Sequence, residues 1–198
     1  MNKLTTQGAI ILDTEITGLG TDARIVEISG ICASTGDVVF NQLVNPLCSI
    51  PPDSLRIHGI TDSDVEFMPT FDVVWNQIKE FLFDKHVLIY NFDYDYRLIS
   101  QSLSDFSYPV SNLSHMICGE CVMLWYAEFF GEISLVSGDY RWQSLSNACA
   151  QQNVDVSDLV AHRALADCEI TRRLIHAVNS QLDDQSLANC DSVTGSEC

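Results

Sequence analysis

Over the first 44 positions the apolar residues fall in short runs separated by turn residues, and beyond them they recur at helical spacing. Residues 8–14, 24–33 and 37–44 read as three strands, with Gly18-Leu19-Gly20 and Ser34-Thr35-Gly36-Asp37 as the turns between them. Connections this short favour an antiparallel meander. Pro51-Pro52 opens a loop that ends in Leu55-Arg56-Ile57-His58-Gly59-Ile60-Thr61, and Thr61 with Asp64 three residues on predicts a capped start to a short helix. Residues 71–83 place Phe71, Val74, Trp75, Ile78 and Phe81 or Leu82 on one side, as an amphipathic helix does. Val87-Leu88-Ile89-Tyr90 reads as a buried strand that feeds directly into a helix starting near Asn91, with Phe92, Tyr96, Ile99 and Leu103 as its stripe.

Further helices are expected over 119–130 and 142–151, the latter with Trp142, Leu145, Cys149 and Gln152 in line. Trp125 and Trp142 could stack on bases, but this spacing favours a core role for both. A last amphipathic helix carries Ala164, Cys168, Thr171, Ile175 and Val178 at offsets of four, three, four and three. After about residue 180 the chain holds four acids and no Lys or Arg, which reads as a mobile tail over 181–198 behind one domain over 1–180.

Five side chains in this frame carry chemistry. Strand side chains alternate, so Asp13 and Glu15 face the same way and share one patch. Like charges that close raise each other's proton affinity unless a cation intervenes, and oxygen ligands suit hard divalent ions such as Mg²⁺ or Mn²⁺. A solvated strand end before Thr17-Gly18 is the plainer alternative. Asp95, three residues beyond Phe92, lies beside the apolar stripe of its helix. Asp93 points toward solvent, where the positive end of a helix favours a carboxylate in any case. Asp167 stands three residues after Ala164 and four before Thr171, so it edges into an apolar face, costly for a carboxylate without a metal or partner. His162 just precedes that helix, and histidine is the residue type suited to act as a general base for water near neutral pH, although a helix cap or surface group would look the same.

The strings Ile11-Leu12-Asp13-Thr14-Glu15-Ile16-Thr17-Gly18-Leu19, Tyr90-Asn91-Phe92-Asp93-Tyr94-Asp95 and His162-Arg163-Ala164-Leu165-Ala166-Asp167 resemble, in order and spacing, the three motifs of the DnaQ-like, or DEDDh, 3′-to-5′ exonucleases. The resemblance spans about residues 8 to 180. It implies an α/β, ribonuclease H-like fold with a mixed five-stranded sheet flanked by helices. It also implies two divalent ions, Mg²⁺ or Mn²⁺, on Asp13, Glu15, Asp95 and Asp167, with His162 as base and nucleoside 5′-monophosphates as products. Asn91 and Tyr94 match the pattern around the second acid and favour Asp95 over Asp93. Ile16, Thr17, His58 and Asn91 are the implied substrate contacts. The family often has Thr where this chain has Ile16, which leaves its substrate preference open. Ile-His-Gly-Ile-Thr and His-Arg-Ala-Leu-Ala-Asp-Cys look most like bacterial proofreading subunits and exodeoxyribonuclease X. That wording favours the 3′ end of DNA, single-stranded, as substrate and makes a polymerase or other protein a candidate partner. RNA-trimming enzymes of the oligoribonuclease or ribonuclease T kind share the motifs, so RNA is the alternative. A non-catalytic accessory protein would not need all five catalytic residue types.

At 198 residues and 46% hydrophobic content the chain fits one globular domain with a sizeable core. Its formal charge of −17 is opposite to the basic stripe of a protein that grips long nucleic acid. A grip on a few terminal nucleotides, with bound metals cancelling part of the charge, eases the conflict. Weak binding without metal, marked salt sensitivity, or a partner that delivers the substrate is the expectation. The eight cysteines sit in a long, core-rich chain without an apolar leader or an 18-residue apolar run, which points to free thiols, a cytoplasmic location and no membrane. Cys32 and Cys168 read as core residues. His115, Cys118 and Cys121 raise a zinc question, but no second pair follows at finger spacing. Gln181-Leu182-Asp183 and Gln185-Ser186-Leu187 lack the hydrophobic ending of a clamp-binding peptide.

Overall fold

The computed structural model describes residues 1–113, 117–136 and 138–194, the side chains of Asn112 and 187–194 aside. Strands β1 (Ile10–Ile16), β2 (Ile25–Cys32) and β3 (Val38–Leu43) form the antiparallel meander. After α1 (Pro52–His58), α2 (Asp62–Val65) and α3 (Phe71–Leu82), strand β4 (His86–Ile89) returns parallel to β1, and after α4 (Phe92–Ser104) strand β5 (Cys118–Cys121) pairs parallel to β4. The order β3-β2-β1-β4-β5 gives a mixed five-stranded sheet flanked by helices, the ribonuclease H-like arrangement. The chain closes with α5 (Val122–Phe130), α6 (Leu145–Gln151) and α7 (Ala164–Thr194).

Alternation along β1 sorts the core into two layers. Ile10 and Leu12 face α3 and α4 with Trp75, Ile78, Leu98 and Ile99, while Ile11 faces the layer of Trp125, Tyr126, Leu174 and Ile175. The same parity sends Asp13 and Glu15 toward α7 and Thr14 toward α4. At its C-terminal end, β1 thus presents polar groups to both layers.

Four local readings are corrected. The Pro51-Pro52 loop is a helix, because Pro52 suits the first helical position and Gly59, at φ 71°, closes the end in the left-handed conformation. The helix expected over 119–130 starts only at Val122. Cys118-Gly119-Glu120-Cys121 is the fifth strand, and a Cβ on Gly119 would sit 1.9 Å from the Val87 carbonyl oxygen, so the close pairing with β4 requires glycine there. Trp142 lies outside the next helix and is 62% exposed, because Ser144 caps that helix by accepting the Asn147 N–H at 3.2 Å. Cys32 is half-buried at a strand end with its sulfur 3.3 Å from the Ser34 hydroxyl; only Cys168 of that pair is core.

The burial of Trp125 and the start of α2 agree with the sequence reading. Trp125 is buried and donates its indole N–H to the Asn2 carbonyl at 3.0 Å, and Thr61 with Asp64 forms the capping box that opens α2. The tail expected over 181–198 is a continuation of α7 as far as Thr194, so the helix runs past the change in composition near residue 180. His115 lies outside the described residues. Among the described residues no helix is long and apolar enough to cross a membrane.

Candidate active site

Asp13 and Glu15 leave β1 on the α7 side, and Asp167 meets them from the first turn of α7. One carboxylate oxygen from each of the three lies within 4.8 Å of the others. Asp95 reaches the same cavity from the other layer. It stands in the first turn of α4, is buried, and accepts the Thr14 hydroxyl at 2.6 Å, so the residue between the two β1 acids positions the acid from α4. Asp95 does not belong to the tight triad.

The start of α7 is held by a residue that the sequence reading passed over. Glu27 on β2 is the cross-strand neighbour of Glu15 and is only 2% exposed. Its carboxylate accepts Arg163 Nε at 3.1 Å and Nη2 at 2.6 Å, and it also accepts the Ala164 backbone N–H at 2.9 Å. Glu27 thus caps α7 and pins Arg163, the residue between His162 and Ala164. His162 itself is exposed, with φ 65°, and its backbone N–H donates to both Asp167 oxygens at 3.3 and 3.2 Å. The segment is braced again upstream, where Arg173 donates to the Asp155 carbonyl at 2.9 Å and to both Asp158 carboxylate oxygens.

These anchors surround a cavity of about 940 Å³ whose walls include Asp13, Glu15, Ile16, Thr17, His58, Tyr94, Asp95, His162 and Asp167. Of the expected substrate contacts, Ile16, Thr17 and His58 line it. Thr17 is committed to its turn, its hydroxyl accepting the Arg24 N–H at 2.9 Å. His58 closes α1 with Nδ1 accepting the Ile60 N–H at 3.0 Å, and burial lowers its pKa. Asn91 is not in the walls. Its side chain is exposed and its carbonyl accepts the N–H groups of Tyr94 and Asp95 at 3.1 and 3.3 Å, so it caps the Asp95 helix.

The acids are crowded enough to hold protons. Burial, followed by repulsion from Asp95 and Asp167, raises Asp13 well above the carboxylate range. Burial with Asp167 and Glu27 raises Glu15 to about 8, and burial raises Asp95 to about 7 against the opposing Thr14 hydrogen bond. Burial also raises Asp167, with the His162 N–H pulling the other way. A set of oxygen-only donors with this electrostatic load fits a hard divalent cation, which would relieve the repulsion.

Three supports went unread. Thr14 lies between two louder acids. Glu27 is an acid inside the apolar run Ile25-Val26-Glu27-Ile28, a pattern that signals a buried partner. Arg163 is that partner, 136 positions away. Glu27→Ala is expected to destabilise the protein by about 2–3 kcal/mol, less than the loss of a fully buried pair because Arg163 is half exposed. It should also cut kcat by about 10- to 100-fold with little change in KM, as misplacement of His162 and Asp167 would. Glu27→Gln, which keeps an acceptor for the Ala164 N–H, should recover most of the kcat; equal losses in the two variants would remove the positioning role. Steady-state kinetics and thermal melts read both.

The fold and its converging acids define a DEDDh, DnaQ-like exonuclease. Residues 10–175 match the Exonuclease family, and the chain belongs to that family. It is 40% identical over 171 residues to the uncharacterized exonuclease CP81 of Escherichia phage 186, covering 85% of this chain and 87% of that protein. It is also 35% identical over 100 residues to the DNA polymerase III subunit epsilon of Rickettsia felis, a match that spans 44% of that subunit. Among solved structures, exonuclease X in complex with 5′ overhanging duplex DNA superposes with a TM-score of 0.63 at 26% identity, covering 87% of this chain and 92% of the other. An E. coli exonuclease I complex with single-stranded DNA superposes at 0.69 with 17% identity and 40% of its chain covered, a likeness of fold alone.

Proposed function

We propose that the protein hydrolyses single-stranded DNA from the 3′ end by a two-metal mechanism, releasing nucleoside 5′-monophosphates. The observation that carries this reading is the convergence of Asp13, Glu15 and Asp167 oxygens within 4.8 Å inside an open cavity. Asp13, Glu15, Asp95 and Asp167 would hold two Mg²⁺ or Mn²⁺ ions. Bound there, divalent cations supply Lewis-acid activation of water and neutralise charge on the phosphate. His162, exposed beside Asp167, takes the proton of the attacking water; a P–O bond forms to that oxygen, and the bond to the leaving 3′ oxygen breaks. Ile16 supplies an apolar surface for the terminal base, and neutral His58 a polar contact beside it.

Incubating the protein and Mn²⁺ with 5′-labelled single-stranded DNA, duplex DNA and RNA should give a ladder from the 3′ end and 5′-monophosphates, with single-stranded DNA cut fastest and chelator stopping the reaction. Faster cleavage of RNA would move the protein to the oligoribonuclease or ribonuclease T kind, and 3′-monophosphate products would exclude the mechanism. His162→Ala should lower kcat by about 100-fold or more, the usual contribution of a general base. The likeness to epsilon subunits makes a polymerase the partner class to test by co-purification.

A further inference from the structure

Binding to nucleic acid strands rests largely on Lys and Arg neutralising phosphates. This chain has 10 such residues against 27 acids. Seven of the ten are already held in ion pairs with the protein's own carboxylates. Of the other three, Arg97 lies over the Tyr94 ring at 4.9 Å and reaches the Gly20 carbonyl at 3.5 Å, Lys79 donates to Asn76 and Tyr108, and exposed Lys85 precedes β4 beside the start of β1, away from the acids at the other end of that strand. Among the described residues, Arg24 is the one Lys or Arg in the cavity walls, and Asp105 holds it at 2.6 Å. The same walls carry Asp22, exposed at the rim, and Asp53, which is paired with Arg56, besides the acids Asp13, Glu15, Asp95 and Asp167. Their remaining surface includes apolar Ile16, Leu19 and Ile57.

We propose that the protein engages only the terminal one or two nucleotides, releases the strand after each cut, and gains nothing from the rest of a long substrate. This rests on the exonuclease reading above and narrows its substrate to short or frayed single-stranded 3′ ends. Along the cavity walls, a phosphate beyond the scissile one meets carboxylates and an arginine that Asp105 already neutralises, so additional length there adds repulsion in place of affinity. Attraction is confined to cations held by the acid cluster and to apolar contact with the last base. In a reaction sequence, the protein then fits after a step that generates short single-stranded fragments. The high charge does not require the steep salt response expected from it alone, because few protein cations are free to exchange counterions.

The test measures kcat/KM with Mn²⁺ on a dinucleotide, a trinucleotide, a pentanucleotide and a strand of about 20 nucleotides, together with a salt titration and a trap of unlabelled DNA. From the trinucleotide upward, kcat/KM should stay level within about threefold, and the trap should stop each strand after one cut. Raising salt from about 50 to about 200 mM should lower kcat/KM only about 3- to 7-fold, the effect of one or two phosphate contacts on a single strand. A rise of more than about tenfold with length, a processive ladder in the presence of trap, or a salt effect of 100-fold would overturn the footprint. If no strand of any length yields a monophosphate, the exonuclease reading itself fails, which is a different result. Asp22→Lys supplies the converse test: a rim lysine should raise kcat/KM on the long strand and leave the dinucleotide value as it was. An unchanged long-strand value would show that rim charge does not set the footprint.

Discussion

Asp167→Asn abolishes metal-dependent exonuclease activity and leaves a protein that, in chelator above pH about 7, melts at a higher temperature than the parent. The first effect follows from position, since Asp167 supplies one of three oxygens that converge within 4.8 Å. Losing a ligand for a cation that carries several kcal/mol of transition-state charge stabilisation is expected to lower kcat by about 1,000-fold or more. The second effect separates this account from simple damage. Asp167 is half-buried and faces Asp13 and Glu15, whose proton affinities it raises. A neutral amide of the same shape removes that repulsion while its oxygen can still accept the His162 N–H, so a gain of about 1 kcal/mol would raise the melting temperature by about 2–4 °C. Asp95→Asn behaves alike, because the amide oxygen still accepts the Thr14 hydroxyl. Activity on a labelled single-stranded oligonucleotide and melting in chelator are the two measurements. Residual activity above about a tenth of the parent would sink the assignment of Asp167 as a ligand. Loss of activity together with loss of stability would mean that the carboxylate is structural.

The sequence made the site's acids legible because each breaks a local rule. Asp13 and Glu15 end an apolar strand, Asp95 stands beside a helix stripe, and Asp167 sits within one. Asp95 is buried and Asp93 exposed, as their positions relative to the helix stripe implied. The supports were harder to read because they act across long separations. Thr14 serves an acid 81 positions away, and Glu27 serves an arginine 136 positions away, with only the buried charge as a clue. β5 was unreadable by periodicity, since Cys118-Gly119-Glu120-Cys121 carries no alternating apolar pattern and becomes a strand through its parallel pairing with β4. Trp142 shows the converse failure. Its helical spacing was genuine, but the Ser144 cap starts the helix later and leaves the indole exposed.

Replacing Glu15 by Gln should open a stability gap over the parent that grows with pH and closes when Mn²⁺ is added. Below the ordinary carboxylate range, about pH 4, Glu15 is protonated in both the folded and the unfolded chain and the two proteins melt alike. As pH rises, the unfolded parent ionises first, while folded Glu15 keeps its proton until about pH 8. Folding then takes up a proton, so the parent loses stability from pH about 4.5 until the folded group itself ionises, and the gap levels off above about 8. His58, lowered by burial, and Cys32, lowered to about 7 by hydrogen bonds to Ser34 and Thr35, titrate in this range with the opposite sign. Both are present in parent and variant and cancel in the difference. The acids with depressed pKa, Asp64, Asp155, Asp158 and Glu169, lose their contribution only as pH falls through the folded values, outside this window. A cation binds the ionised carboxylate and displaces its proton, so Mn²⁺ should stabilise the parent more at pH about 8 than at about 6, and hardly stabilise Glu15→Gln at either. Melting curves in chelator and in Mn²⁺ should show a gap of about 5 °C or more at the upper end. A gap independent of pH would mean that Glu15 is ionised throughout without a cation, and the crowded acid cluster would lose its reason to bind one.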